Sequence, residues 1–152
     1  MKVPVGEKNP KHHIQVRLRL DFRGETQTRF FFGGRNGVKA AEEIREQKAA
    51  LLKNVPFQGI HLEDIDTTLE IYSVYDENTG EEIAYAPLVI TLWADSVEDL
   101  MRFVIKDEFR KIDIIQPTDF TISGQELERI LFKINEEMNN YRTNLEKRFA
   151  RK

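Results

Sequence analysis

The feature that most constrains this chain is a long helical repeat near its carboxyl end. Apolar side chains recur there at alternating steps of four and three residues, the spacing of a helix that packs along an extended surface. They are Leu127, Leu131, Ile134, Met138, Tyr141 and Leu145. A helix over residues 124–148 would be roughly 37 Å long, whereas a small domain is only about 30 Å across. The sequence therefore predicts a helix that reaches past a small domain and needs a further surface to cover it.

The residues just before this repeat predict where the helix begins. Ser123-Gly124-Gln125-Glu126 has the form of a capping box. In that motif the serine oxygen accepts a hydrogen bond from the N–H of the glutamate, and the glutamate carboxylate accepts one from the N–H of the serine. We therefore expect both hydrogen bonds between Ser123 and Glu126.

The apolar stripe of this predicted helix changes width along its length. Ile130 broadens the first half, so we expect residues 127–134 to close the domain's own core. Beyond residue 134 the stripe narrows to a coiled-coil seam. The contact predicted for a second copy of the chain consists of Met138, Tyr141, Leu145 and Phe149. The alternative, in which the whole stripe packs within its own fold, stays open at this point.

Length and composition indicate one intracellular domain. A chain of 152 residues with 40% apolar and 32% charged residues is typical of a single soluble domain. Disulfides and thiolate metal sites are excluded because the chain has no cysteine. No stretch approaches the roughly 18 apolar residues of a membrane span, and the amino terminus lacks the apolar core of a signal peptide. We therefore predict a cytoplasmic protein with no membrane partner.

Charge is distributed unevenly along the chain, although the net charge is only −3. Residues 1–53 hold 12 basic and 6 acidic side chains, residues 54–108 hold 2 and 13, and residues 109–152 hold 9 and 7. Such segregation suits an external charged partner. The interpretation that we favour is that the basic and acidic segments complement each other within the fold or across a dimer.

The first half of the chain predicts a hairpin followed by a helix. Apolar and polar residues alternate strictly over 12–22, which is typical of a half-buried antiparallel strand. A turn at 23–25 should lead to a second strand over 26–32. The glycine-rich stretch 33–37 then predicts a loop, and a helix over 38–52 should follow it, capped by Asn36. Its predicted inner face consists of Val38, Ala41, Ile44, Leu51 and Leu52.

The second half predicts another hairpin and two more helices. The elements expected in chain order are a connection over 53–66, a strand over 67–75, a turn over 76–80, a strand over 81–94, a helix over 97–109 with Ser96 in its cap, and a short strand over 112–115. Pro87 cannot donate a ladder hydrogen bond, so it predicts a bulge, a break or an edge position. The long helix closes the series.

The fold class that follows is α+β. The predicted order is ββα-ββα-(β)-α, with a mostly antiparallel sheet of four or five strands, helices on one face and a long C-terminal helix over about 124–148. Residues 1–11 contain two prolines and a glycine and are expected to form a flexible arm. Residues 12–152 should form a single domain.

The predicted hairpin is rich in arginine, which suggests an anion site. Arginines and one aromatic ring on an exposed sheet are the groups that hold phosphates and stack on bases. The residues concerned are Arg17, Arg19, Arg29, Phe31 and Arg35. The pI of about 5.7 argues against nucleic acid as the ligand, because it is below the basic values of most nucleic-acid-binding domains. The alternative is that these arginines pair with the acidic middle segment or simply keep one face of the strand solvated.

Other patterns in the sequence point to chemistry less specifically. Residues 33–37 could present backbone N–H groups to a phosphate, but they lack the lysine and serine or threonine of a P-loop. His61, Asp64 and Asp66 are suitable metal ligands, yet the interpretation that we favour for them is a solvated loop. The sequence identifies no catalytic residue, no metal site and no cofactor.

Three hypotheses about function therefore follow from the sequence. The first is a non-catalytic module that forms a homodimer through the last helix. The second is a protein that binds nucleic acid or another anionic ligand through the arginine hairpin. The third is a small enzyme whose site the sequence does not identify.

Overall fold

An open antiparallel sheet forms the centre of the structure, a computed structural model that describes residues 14–24 and 33–150. In chain order the described elements are β1 (Ile14–Arg23), α1 (Gly33–Asn54), β2 (Ile60–Asp66), β3 (Tyr72–Asp76), β4 (Glu81–Ala94), α2 (Val97–Val104), β5 (Phe109–Gln116) and α3 (Gly124–Ala150). The strand order is β2-β4-β1-β5, and β3 also pairs with β4. The predicted α+β class, the antiparallel sheet and the long C-terminal helix are confirmed.

The alternation in β1 sets the two faces of the sheet. Five apolar residues at every second position are almost fully buried: Ile14, Val16, Leu18, Leu20 and Phe22. They meet apolar residues of β4 and side chains from α1 and α2, including Ala49, Leu100 and Phe103. The intervening polar residues of β1 lie on the opposite face. One face therefore carries the core, and the other carries the arginines.

Pro87 lies at a break, one of the three positions predicted for it. On one side it stands opposite Asp21 of β1. On its other side β2 pairs with β4 residues 89–94 and β3 pairs with β4 residues 81–85, so Pro87 falls in the gap between these two strands. The missing N–H therefore disrupts no ladder.

Arg45 of α1 closes this gap and was not predicted. Its guanidinium is buried, and Nη1 donates hydrogen bonds to the carbonyl oxygens of Leu69, 2.8 Å away, and Pro87, 3.1 Å away. The inner face of α1 is accordingly centred on Ala41, Arg45 and Ala49. Small residues at two of these three positions let the helix lie close to the sheet.

The predicted inner face of α1 is partly wrong. Ala41 is buried, and Ile44 and Leu52 pack against the core, as expected. Val38 and Leu51 are instead exposed. They lie beside the stripe that Arg45 shares with the two alanines, so the apolar spacing alone misplaced the buried face by part of a turn.

The glycine-rich stretch 33–37 is helical, which corrects the predicted loop and cap. α1 begins at Gly33, so Asn36 lies inside the helix. Glycine is about 1 kcal/mol poorer than alanine in a helix, a preference that tertiary packing can override. A Cβ added at Gly24, just after β1, would lie 2.1 Å from the Gly37 oxygen, so the chain packs tightly against this end of α1. The predicted arm over 1–11 and strand over 26–32 lie outside the described residues.

The connection predicted over 53–66 is wrong in its second part, because β2 occupies Ile60–Asp66. Among the described strands β2 pairs with β4 only, and most of its side chains are exposed on both faces. An edge strand of this kind does not show the alternation of apolar and polar residues that identifies a half-buried strand. The strand predicted over 67–75 is shorter, Tyr72–Asp76. The turn at 76–80 is confirmed, with the Gly80 N–H donating to the Asp76 carbonyl at 2.8 Å.

The helix predicted over 97–109 ends at Val104, and Phe109 begins β5. The Ser96 cap is confirmed, because its Oγ accepts a hydrogen bond from the Asp99 N–H at 3.3 Å. Phe109 packs against the core from a strand, as it would have done from a helix, so its apolar character could not distinguish the two. β5 is consequently longer than the predicted 112–115.

Candidate functional site

The long helix α3 is fixed to the domain at its first turn. The Glu126 N–H donates to the Ser123 Oγ at 3.1 Å, which is the first half of the predicted capping box. The Glu126 carboxylate does not return to Ser123; it accepts the Val97 N–H of α2 at 3.0 Å. Arg129 adds an ion pair to Glu98 at 2.8 Å. The carboxylate that we expected to complete the cap therefore joins two helices.

The apolar seam of α3 does not face its own domain. Ile130 is the one residue of α3 that is buried, and Glu126, Lys133 and Glu137 on the same face are half-buried. Each of the seam residues Leu127, Leu131, Ile134 and Met138 directly follows one of these four residues in the sequence. Because successive residues of a helix point about 100° apart, the seam does not face the domain. Residues 127–134 were expected to close the core; Ile130 is buried as that requires, but the expectation is wrong for the seam residues Leu127, Leu131 and Ile134, which are exposed.

The seam is instead exposed along almost its whole length. The exposed fractions are 47% for Leu127, 57% for Leu131, 40% for Ile134, 66% for Met138 and 64% for Tyr141. Leu145 is half-buried, and Phe149 is exposed. From Leu127 to Phe149 this stripe runs roughly 33 Å along the helix. Monomeric proteins rarely expose apolar side chains in so long a row.

Two charged side chains flank the seam at its centre. In heptad terms Leu131, Met138 and Leu145 are at a positions, Glu137 is at a g position and Arg142 is at an e position. The Arg142 guanidinium donates to the Asn139 side-chain oxygen on the same helix. The e and g positions of facing helices meet at the edges of a coiled coil, so opposite charges at these positions can pair between helices.

The predicted arginine site is only partly described. Arg17 and Arg19 lie on the sheet face opposite the core, and Arg17 is exposed. Arg29 and Phe31 lie outside the described residues, and Arg35 lies within α1, where the side chain is not described. Anion or nucleic-acid binding by this hairpin therefore stays a prediction.

Arg19 belongs to a polar cluster around Asp21, which sequence reasoning missed. Asp21 is only 2% exposed. It accepts hydrogen bonds from the Arg19 guanidinium at 2.9 and 3.3 Å and from the Tyr72 hydroxyl at 2.5 Å. The Arg110 Nε lies 3.8 Å away, with that guanidinium over the Tyr85 ring. The signal in the sequence that could have revealed this cluster is the position of Asp21 between Arg19 and Arg23 on the polar side of β1.

These contacts shift the pKa values of two members of the cluster. The hydrogen bond to Asp21 raises the pKa of Arg19 above its ordinary value. Burial, followed by the hydrogen bond that Tyr72 donates to Asp21, raises the pKa of Tyr72. Each shift stabilises the protonated form of its group, so the cluster binds one carboxylate through partners that keep their protons.

The histidine and acidic residues considered as metal ligands are dispersed. The His61 Nε2 lies 3.0 Å from an oxygen of Asp95, on the edge of the sheet. Within residues 14–24 and 33–150, no three histidine, aspartate or glutamate side chains lie close enough to hold one metal ion. No helix in the described part of the chain is both long and apolar enough to cross a membrane.

No family model, no curated protein and no solved structure matches this chain. Inference about function therefore depends on the geometry of the molecule itself. The exposed seam of α3 is the surface with the clearest physical reason to bind something.

Proposed function

We propose that this chain is a non-catalytic interaction module that forms a homodimer through the seam of α3. The observation that supports this proposal is the orientation of α3, which is fixed to the domain by Glu126 and Ile130 and leaves its apolar side chains in water. Exposed apolar surface is costly in water, and covering it is the main driving force of protein association. A contact that buries the seam therefore has a strong physical reason to form.

A second copy of the chain fits this surface because the seam is self-complementary in its spacing. The apolar residues follow the a and d positions for about three heptads, the pattern by which two like helices interlock. In a two-fold dimer the same patch serves both subunits. Glu137 and Arg142 on its edges provide opposite charges for pairing between the two helices.

The test is to disrupt the centre of the seam in the full-length protein. Met138→Glu places a charge in the predicted contact, and Thr143→Glu makes the same addition to α3 at a position outside the seam. We expect the parent protein and Thr143→Glu to sediment as dimers at micromolar concentration and Met138→Glu to sediment as a monomer. Because Met138 is 66% exposed within the chain, its replacement removes little of the core.

Circular dichroism distinguishes loss of association from loss of folding. The Met138→Glu monomer should keep the helix content expected for three helices and should unfold cooperatively. A full-length parent protein that is monomeric at micromolar concentration would refute the proposal. So would equal effects of Met138→Glu and Thr143→Glu on the dissociation constant.

A further inference from the structure

A cavity of about 370 Å³ opens between α1 and α2, away from the seam of α3. Its buried lining is apolar and belongs to the core: Leu20, Phe22 and Phe103. Leu51, Leu52 and Phe57 complete the apolar wall. Leu51, a large apolar residue, is exposed and lines this cavity. Apolar, concave sites of this size are typical of small-molecule binding.

The remaining lining residues of this cavity are predominantly basic. They are Lys48 of α1, Arg102 of α2, Lys106 in the segment that follows α2, and a single carboxylate, Glu108. Arg102 is held in the wall, where its guanidinium lies 5.3 Å from the centre of the Phe57 ring and donates to the Gln58 carbonyl. The ammonium groups of Lys48 and Lys106 form no ion pair with any residue in the described part of the chain. Two cations beside an apolar cavity are therefore available to an anion.

The positive charge continues into a neighbouring cavity of about 560 Å³. The two cavities share Phe22, Lys48 and Glu108. The second also has Arg23, Arg110 and Arg148 in its lining, from β1, β5 and α3 respectively. Its acidic lining residues are Asp107, the shared Glu108, and Asp21, which is already bound by Arg19 and Tyr72. Six basic and three acidic side chains thus line the two cavities, so this end of the sheet has an excess of positive charge although the whole chain has a net charge of −3.

We infer that the cavity between α1 and α2 binds a single-chain anionic amphiphile, with its hydrocarbon chain against Leu20, Phe22 and Phe103 and its charged head at Lys48 and Lys106. The apolar lining supplies a site for the chain, and the two lysines complement the charge of the head. A neutral amphiphile would leave that charge complementarity unused. The inference goes beyond the proposed dimer, because the cavity contains no residue of the α3 seam.

Calorimetry on the full-length protein tests this inference with three ten-carbon probes below their micelle-forming concentrations. They are decanoate, decyl phosphate and the neutral decanol. We expect at least one of the two anions to bind at least about tenfold more tightly than decanol, since a hydrogen bond to a charged group typically corresponds to a tenfold change or more. Whichever anion binds more tightly identifies the head that the site prefers.

Substitutions of the lining residues test whether the anion binds in this cavity. The double variant Lys48→Gln/Lys106→Gln should weaken binding of the anion at least about tenfold, whereas Lys39→Gln, on the exposed side of α1, should leave it unchanged. Leu51→Trp fills the mouth of the cavity from an exposed position and should abolish binding. Circular dichroism confirms that each variant is folded.

Three results would overturn the inference. The first is the absence of binding by both anions, as expected if the chain's own residues fill the cavity. The second is equal affinity for decanol and the anions, which would indicate an apolar site without charge selection. The third is anion binding that is unchanged in both Leu51→Trp and the double lysine variant. Since none of these substitutions touches the seam, failure here leaves the proposed dimer untouched.

Discussion

Among single residues, Asp21 shows how this sheet tolerates a buried charge. Its carboxylate is 2% exposed and lies on the face opposite the core. A carboxylate without partners at such a position would be strongly destabilising. The Arg19 guanidinium supplies two hydrogen bonds and Tyr72 a third. The cluster thus joins β1 to β3, two strands that are not neighbours in the sheet.

The Tyr72 hydroxyl makes stability depend on pH in the alkaline range. Its pKa is raised above the ordinary value of 10.0. Between the unfolded and folded pKa values the native state binds more protons than the unfolded state, so the free energy of unfolding falls as the pH rises. The contribution is complete below about pH 10 and is lost as the pH rises through the folded pKa. Urea unfolding at a series of alkaline pH values should show this decline.

Two tyrosine variants identify the source of that decline. Tyr72→Phe should show a smaller fall in the free energy of unfolding above about pH 10, because it has no hydroxyl proton to lose. Tyr75→Phe removes the hydroxyl of an exposed tyrosine in the same strand and should behave like the parent protein. Identical pH profiles for the parent protein and Tyr72→Phe would contradict the prediction.

Replacing Gly24 by alanine should destabilise the folded protein for a steric reason. An added Cβ would lie 2.1 Å from the Gly37 oxygen and 2.8 Å from the Ala41 nitrogen, both of them backbone atoms of α1. We expect Gly24→Ala to lower the free energy of unfolding by about 1–3 kcal/mol, the usual cost of overpacking. Urea unfolding measures the loss.

Gly124→Ala is the matched control, since an added Cβ there meets nothing within 4 Å. Gly124 is the first residue of α3, where alanine is the better helix former. The substitution should therefore leave the free energy of unfolding unchanged or raise it by up to about 1 kcal/mol. Equal losses for Gly24→Ala and Gly124→Ala would show that close packing between β1 and α1 does not constrain residue 24.

For whole elements, the sequence predicted best where a local pattern has a single physical meaning. Strict alternation in β1 and the serine cap of α2 depend on neighbouring residues only, and both are confirmed. β2 was missed because an exposed edge strand needs few apolar residues. The start of α1 was missed because glycine has a low helix propensity, a local preference that tertiary packing can override.

Local spacing also predicted only part of what the structure shows about α3. Its spacing identified the apolar seam and the Ser123 cap. It could not show that Ile130, one position before Leu131, would turn toward the domain and leave the seam outside. Spacing defines a stripe, but the partner of that stripe depends on contacts such as the one from Glu126 to Val97. The cavity between α1 and α2 was unforeseen for a related reason, because its lining comes from four separate segments.

The Glu126 carboxylate should control how firmly α3 is held. It accepts the Val97 N–H at the start of α2, where the helix dipole also favours a negative charge. Glu126→Ala should lower the free energy of unfolding by about 1 kcal/mol, as the loss of a helix cap does. Amide hydrogen exchange should become faster in the first turns of α2 and α3.

Glu128→Ala is the control for this effect. It removes an exposed carboxylate from the same turn of α3 and should change neither the stability nor the exchange rates beyond the scatter of surface substitutions. If Glu126→Ala leaves exchange in α2 unchanged, the contact between the two helices does not hold α3 in place.

In the whole molecule, ion pairs between the basic and acidic segments do not neutralise the uneven charge of the sequence, as far as the described residues extend. Between the described residues, no ion pair joins the basic segment up to residue 53 with the acidic segment 54–108. Acidic side chains of β2 line one edge of the sheet, while Lys48, Lys106 and Arg148 lie around the two cavities at its basic end. A dimer could therefore form in either of two ways, by burying the seam or by bringing the basic end of one copy to the acidic edge of another.

Salt distinguishes these two modes of association. Between about 0.1 M and 1 M sodium chloride the screening length falls from about 10 Å to about 3 Å. A dimer that buries the α3 seam should keep nearly the same dissociation constant over this range, and sodium sulfate should strengthen it because sulfate favours apolar burial. Sedimentation equilibrium on the full-length protein measures both effects. Glu137→Gln removes a charge beside the seam and should reduce whatever salt dependence is left. A dimer that dissociates as sodium chloride increases would instead be held by its charged surfaces, and Met138 would not be at its centre.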